Sequence, residues 1–109
     1  LFRSNVPSGA TLFTWVYLDS AKPPSEVMLQ WNGGNGSDHR AYWGANSLTY
    51  GADGGVTRHY AGALPTPGQW VKLAVPASAV GLEGKTVNGM GFSLYGGHAS
   101  WDNVGETTQ

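Results

Sequence analysis

Apolar and polar residues alternate along this chain with a period of two, the spacing of a β-strand whose neighbouring side chains point to opposite faces. The clearest case is TLFTWVYLD at 11–19. There Leu12, Thr14, Val16 and Leu18 share one face, and Phe13, Trp15 and Tyr17 share the other. Two apolar faces predict either a central strand covered on both sides or a strand that offers one face to a ligand. Further strands are predicted over Glu26–Trp31, with Val27, Leu29 and Trp31 on one side, and over His39–Gly44, with His39, Ala41 and Trp43 opposite Arg40 and Tyr42. Ala45–Tyr50 reads as a short hairpin return and Val56–Leu64 as a weaker strand. In Gln69–Val75, Val71, Leu73 and Val75 alternate with Trp70, Lys72 and Ala74. Val87–Tyr95 and His98–Gly105 complete the set.

Turn chemistry separates these segments. Pro7-Ser8-Gly9, Lys22-Pro23-Pro24-Ser25, Ala52-Asp53-Gly54-Gly55, Pro65-Thr66-Pro67-Gly68 and Gly96-Gly97 are all breakers of a strand. Pro76-Ala77-Ser78-Ala79-Val80 reads as one helical turn opened by proline. Leu1-Phe2 begins without a polar lead-in and reads as the remnant of a strand whose start or partner lies upstream. Seven or eight short strands with turns about every ten residues predict an all-β fold, an antiparallel β-sandwich of jelly-roll type. The length of 109 residues suits one module spanning 1–109.

Composition narrows the functional classes. Net charge is −1, and no basic run provides a footprint for nucleic acid or an anionic membrane surface. The apolar runs fall far short of the roughly 20 residues of a membrane-spanning helix, so no membrane insertion is expected. Cysteine is absent, which removes disulfides, thiolate metal sites and a cysteine nucleophile. Asn35-Gly36-Ser37 matches a glycosylation sequon.

Candidate chemistry concentrates in Asp38-His39-Arg40-Ala41-Tyr42-Trp43, which follows the Gly/Asn-rich segment 31–37, read as an irregular loop. A sugar presents an apolar C–H face that lies against an aromatic ring, and hydroxyls that pair with planar polar groups. Trp43 and Tyr42, with Asp38, His39, Arg40 and Asn46, meet that requirement, as do Trp15 and Tyr17 if their face is open. Trp31, Trp70 and Trp101 read as core fillers. The histidines His39, His59 and His98 lack the local spacing of a zinc site. No cofactor is expected beyond a possible structural calcium, for which Asp19, Asp38, Asp53 and Asp102 are the candidates. Ser37, His59 and Asp102 assemble a nucleophilic triad only on paper, with no nucleophile elbow, and the chain is not expected to be an enzyme.

The segments EVMLQWN at 26–32, DHRAYWGAN at 38–46, LPTPGQWVKLAVPASAVGLEGKTVNGMGFSLYGG at 64–97 and ASWDNVG at 99–105 together resemble a jelly-roll module of large secreted bacterial proteins. Such modules accompany YD-type (Rhs-like) repeat regions and polysaccharide-degrading proteins. Trp101-Asp102-Asn103-Val104 also resembles the last strand of galactose-binding-like and carbohydrate-binding modules. This chain is shorter than those modules usually are. The resemblance implies an extracellular or cell-surface location, a glycan or polysaccharide as partner, and neighbouring domains in a larger chain. Three roles stay open at this point: a carbohydrate-binding module, a structural or protein-interaction module, and a small hydrolase or lyase.

Overall fold

The structure, a computed structural model, describes residues 4–33, 38–49 and 54–107. It is all-β, with two mostly antiparallel sheets. In chain order the strands are β1 (Ser4–Asn5), β2 (Thr11–Leu18), β3 (Glu26–Gly33), β4 (Asp38–Gly44), β5 (His59–Gly62), β6 (Trp70–Pro76), β7 (Thr86–Tyr95) and β8 (Ala99–Thr107). One sheet runs β1-β7-β3-β4-β5, and the other runs β6-β2-β8. Every pairing is antiparallel except β4 with β5, which is parallel.

The two-residue period decides which side chains meet. Leu12, Val16 and Leu18 of β2 join Leu73 and Val75 of β6, Val27, Leu29 and Trp31 of β3, Ala41 and Trp43 of β4, and Val87 of β7 in one core. Residues of both sheets therefore bury one another, an arrangement compatible with a β-sandwich. Each of the larger aliphatic side chains contributes about 1.5–3 kcal/mol by leaving water. At one margin of this core Trp101 of β8 stacks on Phe92 of β7, with ring centroids 4.8 Å apart.

The helical turn forms as expected, a 3-10 turn over Ala77–Val80. Pro76 precedes it with φ −60°, and Gly81 ends it at φ 72°, a left-handed conformation that glycine takes without a Cβ penalty. The Val80 carbonyl then accepts a 2.6 Å hydrogen bond from His39 Nδ1, tying the turn to the inner face of β4.

Two expectations change. Ala45–Tyr50 does not return as a hairpin strand: 45–49 is irregular, and Tyr50 lies outside the described residues. The amides that a hairpin would have used go elsewhere. Ser47 and Leu48 N–H both donate to Glu26 Oε1, at 2.7 and 2.8 Å, and Ala45 N–H donates to the Ser25 carbonyl. Gly44 redirects the chain here at φ 94°, where a Cβ would come within 2.5 Å of the Ser25 carbonyl oxygen. The other edge of β4 is taken instead by β5, which runs parallel to it. The expected strand 56–64 contracts accordingly to His59–Gly62. The opening strand observed is Ser4–Asn5, on the edge of β7; Leu1 and Phe2 lie outside the described residues, as do Ala52 and Asp53 of one expected turn.

Trp31→Ala is expected to lower stability by about 3–5 kcal/mol in urea unfolding, because it empties the largest fully buried side-chain volume. Trp70→Ala, on an outward position, is expected to change it by less than about 1 kcal/mol.

Candidate functional site

The residues singled out in the sequence divide between two opposite surfaces and the core. Adjacent residues of a strand point to opposite faces, so Trp43 and Tyr42 cannot form one stacking platform. Trp43 is 5 % exposed and belongs to the core, as does the inward side of β4 that carries His39. These two residues were expected to meet a sugar; the structure places them inside. The carbonyl of Val80 can only accept, so His39 Nδ1 carries a proton and the ring serves as an internal tie.

Arg40 and Tyr42 point to the outer face of the five-stranded sheet, but both are buried there. Arg40 Nε donates to Gln30 Oε1 at 3.1 Å, and Nη1 donates to the Thr57 carbonyl at 3.4 Å. Tyr42 lies 5.3 Å from the Tyr60 ring. Asp38 begins β4 opposite Asn32, and Asn46 is exposed on the irregular segment that follows the strand.

That segment is held down by a buried carboxylate. Glu26 is fully buried on the outward side of β3, and its Oε1 takes the Ser47 and Leu48 amides. Arg58 Nη1 donates to the Leu48 carbonyl at 2.7 Å, so a carboxylate and a guanidinium grip the two ends of one residue's backbone. Among the described residues, Glu26 Oε2 and Arg58 Nε are buried without a hydrogen-bond partner. Nothing in the apolar pattern of EVMLQW marked Glu26 as structural, because its partners come from a segment twenty residues downstream.

Trp15 and Tyr17 sit on the outer face of the three-stranded sheet, and this face is open. The strand register places Trp70, Tyr17 and Ser100 in one row, Lys72, Trp15 and Asp102 in the next, and Ala74, Phe13 and Gly105 in the third. Trp15 is 36 % exposed and Trp70 is 48 % exposed. The expectation that Trp70 fills the core fails for the reason its own strand supplies: Val71, Leu73 and Val75 face inward, which turns Trp70 out. Trp31 does fill the core, and Trp101 is half-buried against it.

The rings on this face support one another. Tyr17 and Trp70 lie 5.7 Å apart at an interplanar angle of 57°. Lys72 Nζ stands 4.5 Å from the Phe13 ring centroid, a cation–π contact that occupies the only cation in these rows. Phe13 leans toward Gly105, where a Cβ would come within 3.0 Å of its Cζ. Ser100 and Asp102 are exposed along the β8 side. The surface thus combines partly open aromatic rings with a hydroxyl and a carboxylate at their margin.

The other sequence-level candidates do not converge. Among the described residues, no group of three or more His, Asp or Glu is placed to hold a metal ion. Asp19 caps its own turn by accepting the Ala21 amide at 2.9 Å. His59 lies on β5 of one sheet and Asp102 on the outer face of the other, while Asp53 and Ser37 lie outside the described residues. No helix is long and apolar enough to cross a membrane among those described.

Two measurements check this placement. Glu26→Ala strips both amides of their acceptor and is expected to destabilise the fold by about 1–3 kcal/mol in chemical denaturation, with Glu26→Gln milder because one acceptor oxygen stays. In acrylamide quenching, Trp70→Phe is expected to remove a large share of the accessible fluorescence, and Trp43→Phe almost none of it.

No protein-family model, curated protein or solved structure matches this chain significantly.

Proposed function

We propose that this chain is a non-catalytic carbohydrate-binding module that contacts a polysaccharide through the outer face of its three-stranded sheet. One observation carries the reading: Trp15, Tyr17 and Trp70 occupy adjacent rows of an open sheet face, with Ser100 and Asp102 beside them. Large aromatic side chains left in water cost free energy unless a partner covers them, and contiguous exposed apolar surface on a small protein marks an interaction site. The mixture of flat apolar rings with a few polar groups suits a ligand that is apolar on its ring faces and hydroxyl-rich at its edges.

On this reading the two sheets follow the jelly-roll wrap of secreted bacterial modules. The chain works outside the cell or at its surface, as one domain of a larger protein. Its binding residues are Trp15, Tyr17 and Trp70, while Arg40, Tyr42, His39 and Trp43 stabilise the opposite sheet and the core. Asp38 keeps a place at the head of β4, apart from the binding face.

A structural or protein-interaction role is favoured by a different observation. Among the described residues β6 and β8 are the edge strands of the three-stranded sheet, so no further strand pairs with the outer side of either. A neighbouring domain could cover the rings and extend the sheet at once.

Calorimetry and affinity electrophoresis across soluble polysaccharides discriminate between the two. The expected result is binding to at least one of them, weakened about 30-fold or more by Trp15→Ala or Trp70→Ala in folded protein, as for an aromatic anchor of a binding surface. Binding that both substitutions leave intact would move the site elsewhere. No binding to any polysaccharide would favour the interaction module.

A further inference from the structure

The β8 strand is irregular at one place only, and that place faces Trp15. Phe13 pairs with Gly105 and Trp15 pairs with Asp102, so Asn103 and Val104 together oppose the single residue Thr14. Two residues against one is a β-bulge, a device that re-aims a side chain. Had β8 run straight on from Gly105, the residue opposite Trp15 would have been Asn103. Asp102 would then have turned inward and Trp101 outward. The bulge reverses this: Trp101 packs against the core and Asp102 emerges beside Trp15.

The bulge is fixed from both sides. Beneath it, the fully buried Thr14 donates its hydroxyl to the Asp102 carbonyl at 3.1 Å. Above it, Asn103 N–H donates to Asp102 Oδ1 at 2.9 Å. Asn103 itself takes φ 52°, the only non-glycine residue with positive φ among those described. Left-handed residues of this kind persist where the surroundings over-determine them, and they gather at binding surfaces. The carboxylate is held in place by its own backbone, yet it remains exposed and retains acceptor capacity beyond the one bond that Asn103 makes.

Charge completes the picture. Lys72 and Asp102 flank Trp15 in the same row, but Lys72 is engaged over the Phe13 ring. A ligand stacked on Trp15 therefore meets a fixed anion on one side and a committed cation on the other.

We propose that Asp102 is the specificity element of this face: it accepts hydrogen bonds from hydroxyls of the sugar stacked on Trp15, and it restricts the ligand to uncharged polysaccharide by repelling uronates. This rests on the glycan-binding reading given above and names the chemical class of its ligand. A hydroxyl pair on one sugar ring suits the two oxygens of a carboxylate, and such charge-assisted hydrogen bonds are the stronger kind. A carboxylate on the sugar would face Asp102 at close range, where like charges repel.

Calorimetry with soluble neutral chains (a mixed-linkage glucan, a xylan, a mannan) and with polygalacturonate and alginate tests it. Asp102→Asn keeps an Oδ1 acceptor for the Asn103 amide, so the bulge survives, which near-UV circular dichroism verifies. Wild type is expected to bind at least one neutral chain and neither polyuronate. Asp102→Asn is expected to weaken the neutral complex about tenfold or more and to bring polyuronate binding into range at low salt. Asn103→Gly, which removes the left-handed penalty and keeps the carboxylate, is expected to bind as wild type does. Equal neutral-chain binding by Asp102→Asn, or wild-type binding to polyuronates as tight as to neutral chains, would overturn the assignment and leave the glycan-binding reading standing. Failure of wild type to bind any of the five would overturn the reading beneath it and the assignment together.

Discussion

The two-residue period of β2 is the constraint on which the molecule depends. β2 is the middle strand of its sheet, with β6 on one side and β8 on the other, so both of its edges are fixed by hydrogen bonds. Each side chain along it is then committed to a face. Leu12, Val16 and Leu18 bind the two sheets together by excluding water between them, and that same commitment turns Phe13, Trp15 and Tyr17 outward. A slip of one residue would exchange the two sets, burying the three aromatics and wetting the aliphatic core. The exposed rings are thus a direct consequence of the packing that stabilises the fold.

The neighbouring strands repeat the logic and refine it. β6 adds Trp70 to the outer face because Val71, Leu73 and Val75 claim the inner one. β8 could not supply both Trp101 to the core and Gly105 beneath Phe13 with a regular register. The bulge at Asn103 and Val104 reconciles the two demands and leaves Asp102 beside Trp15. Structural packing and the presentation of a polar group converge on one irregularity.

The opposite sheet shows how a polar group can close a surface. Arg40, Gln30 and the Thr57 carbonyl form a chain of hydrogen bonds across β3 and β4. Glu26 and Arg58 hold the backbone of Leu48 from both ends. Unpaired charges in such places would cost several kcal/mol, whereas backbone amides satisfy one carboxylate oxygen with short bonds. These residues look, as a list of types, like a ligand site. Most of their hydrogen bonds are made internally, with Glu26 Oε2 and Arg58 Nε lacking a partner among the described residues, while Tyr60 and Tyr95 of the same sheet stay exposed.

Much of this was written in the sequence. Strand identity, the faces of β2, β3, β4 and β6, the proline-opened turn at Ala77–Val80 and the all-β class follow from local alternation and from turn residues, both of which act over a few positions. Even the outward direction of Trp70 was legible from its alternation with Val71 and Leu73, although tryptophan's usual preference for the core argued otherwise. Tertiary structure alone decided which outward faces remain open, since burial depends on what distant segments do. The outward side of β4 is closed because Arg40 bonds Gln30 and the Thr57 carbonyl and Tyr42 lies against Tyr60, while Glu26 takes the Ser47 and Leu48 amides that a hairpin would have used. The parallel docking of β5 and the bulge opposite Thr14 depend on partners more than ten residues away, beyond the reach of any local pattern. Alternation assigns a side chain to a face; only the completed fold determines whether that face meets water.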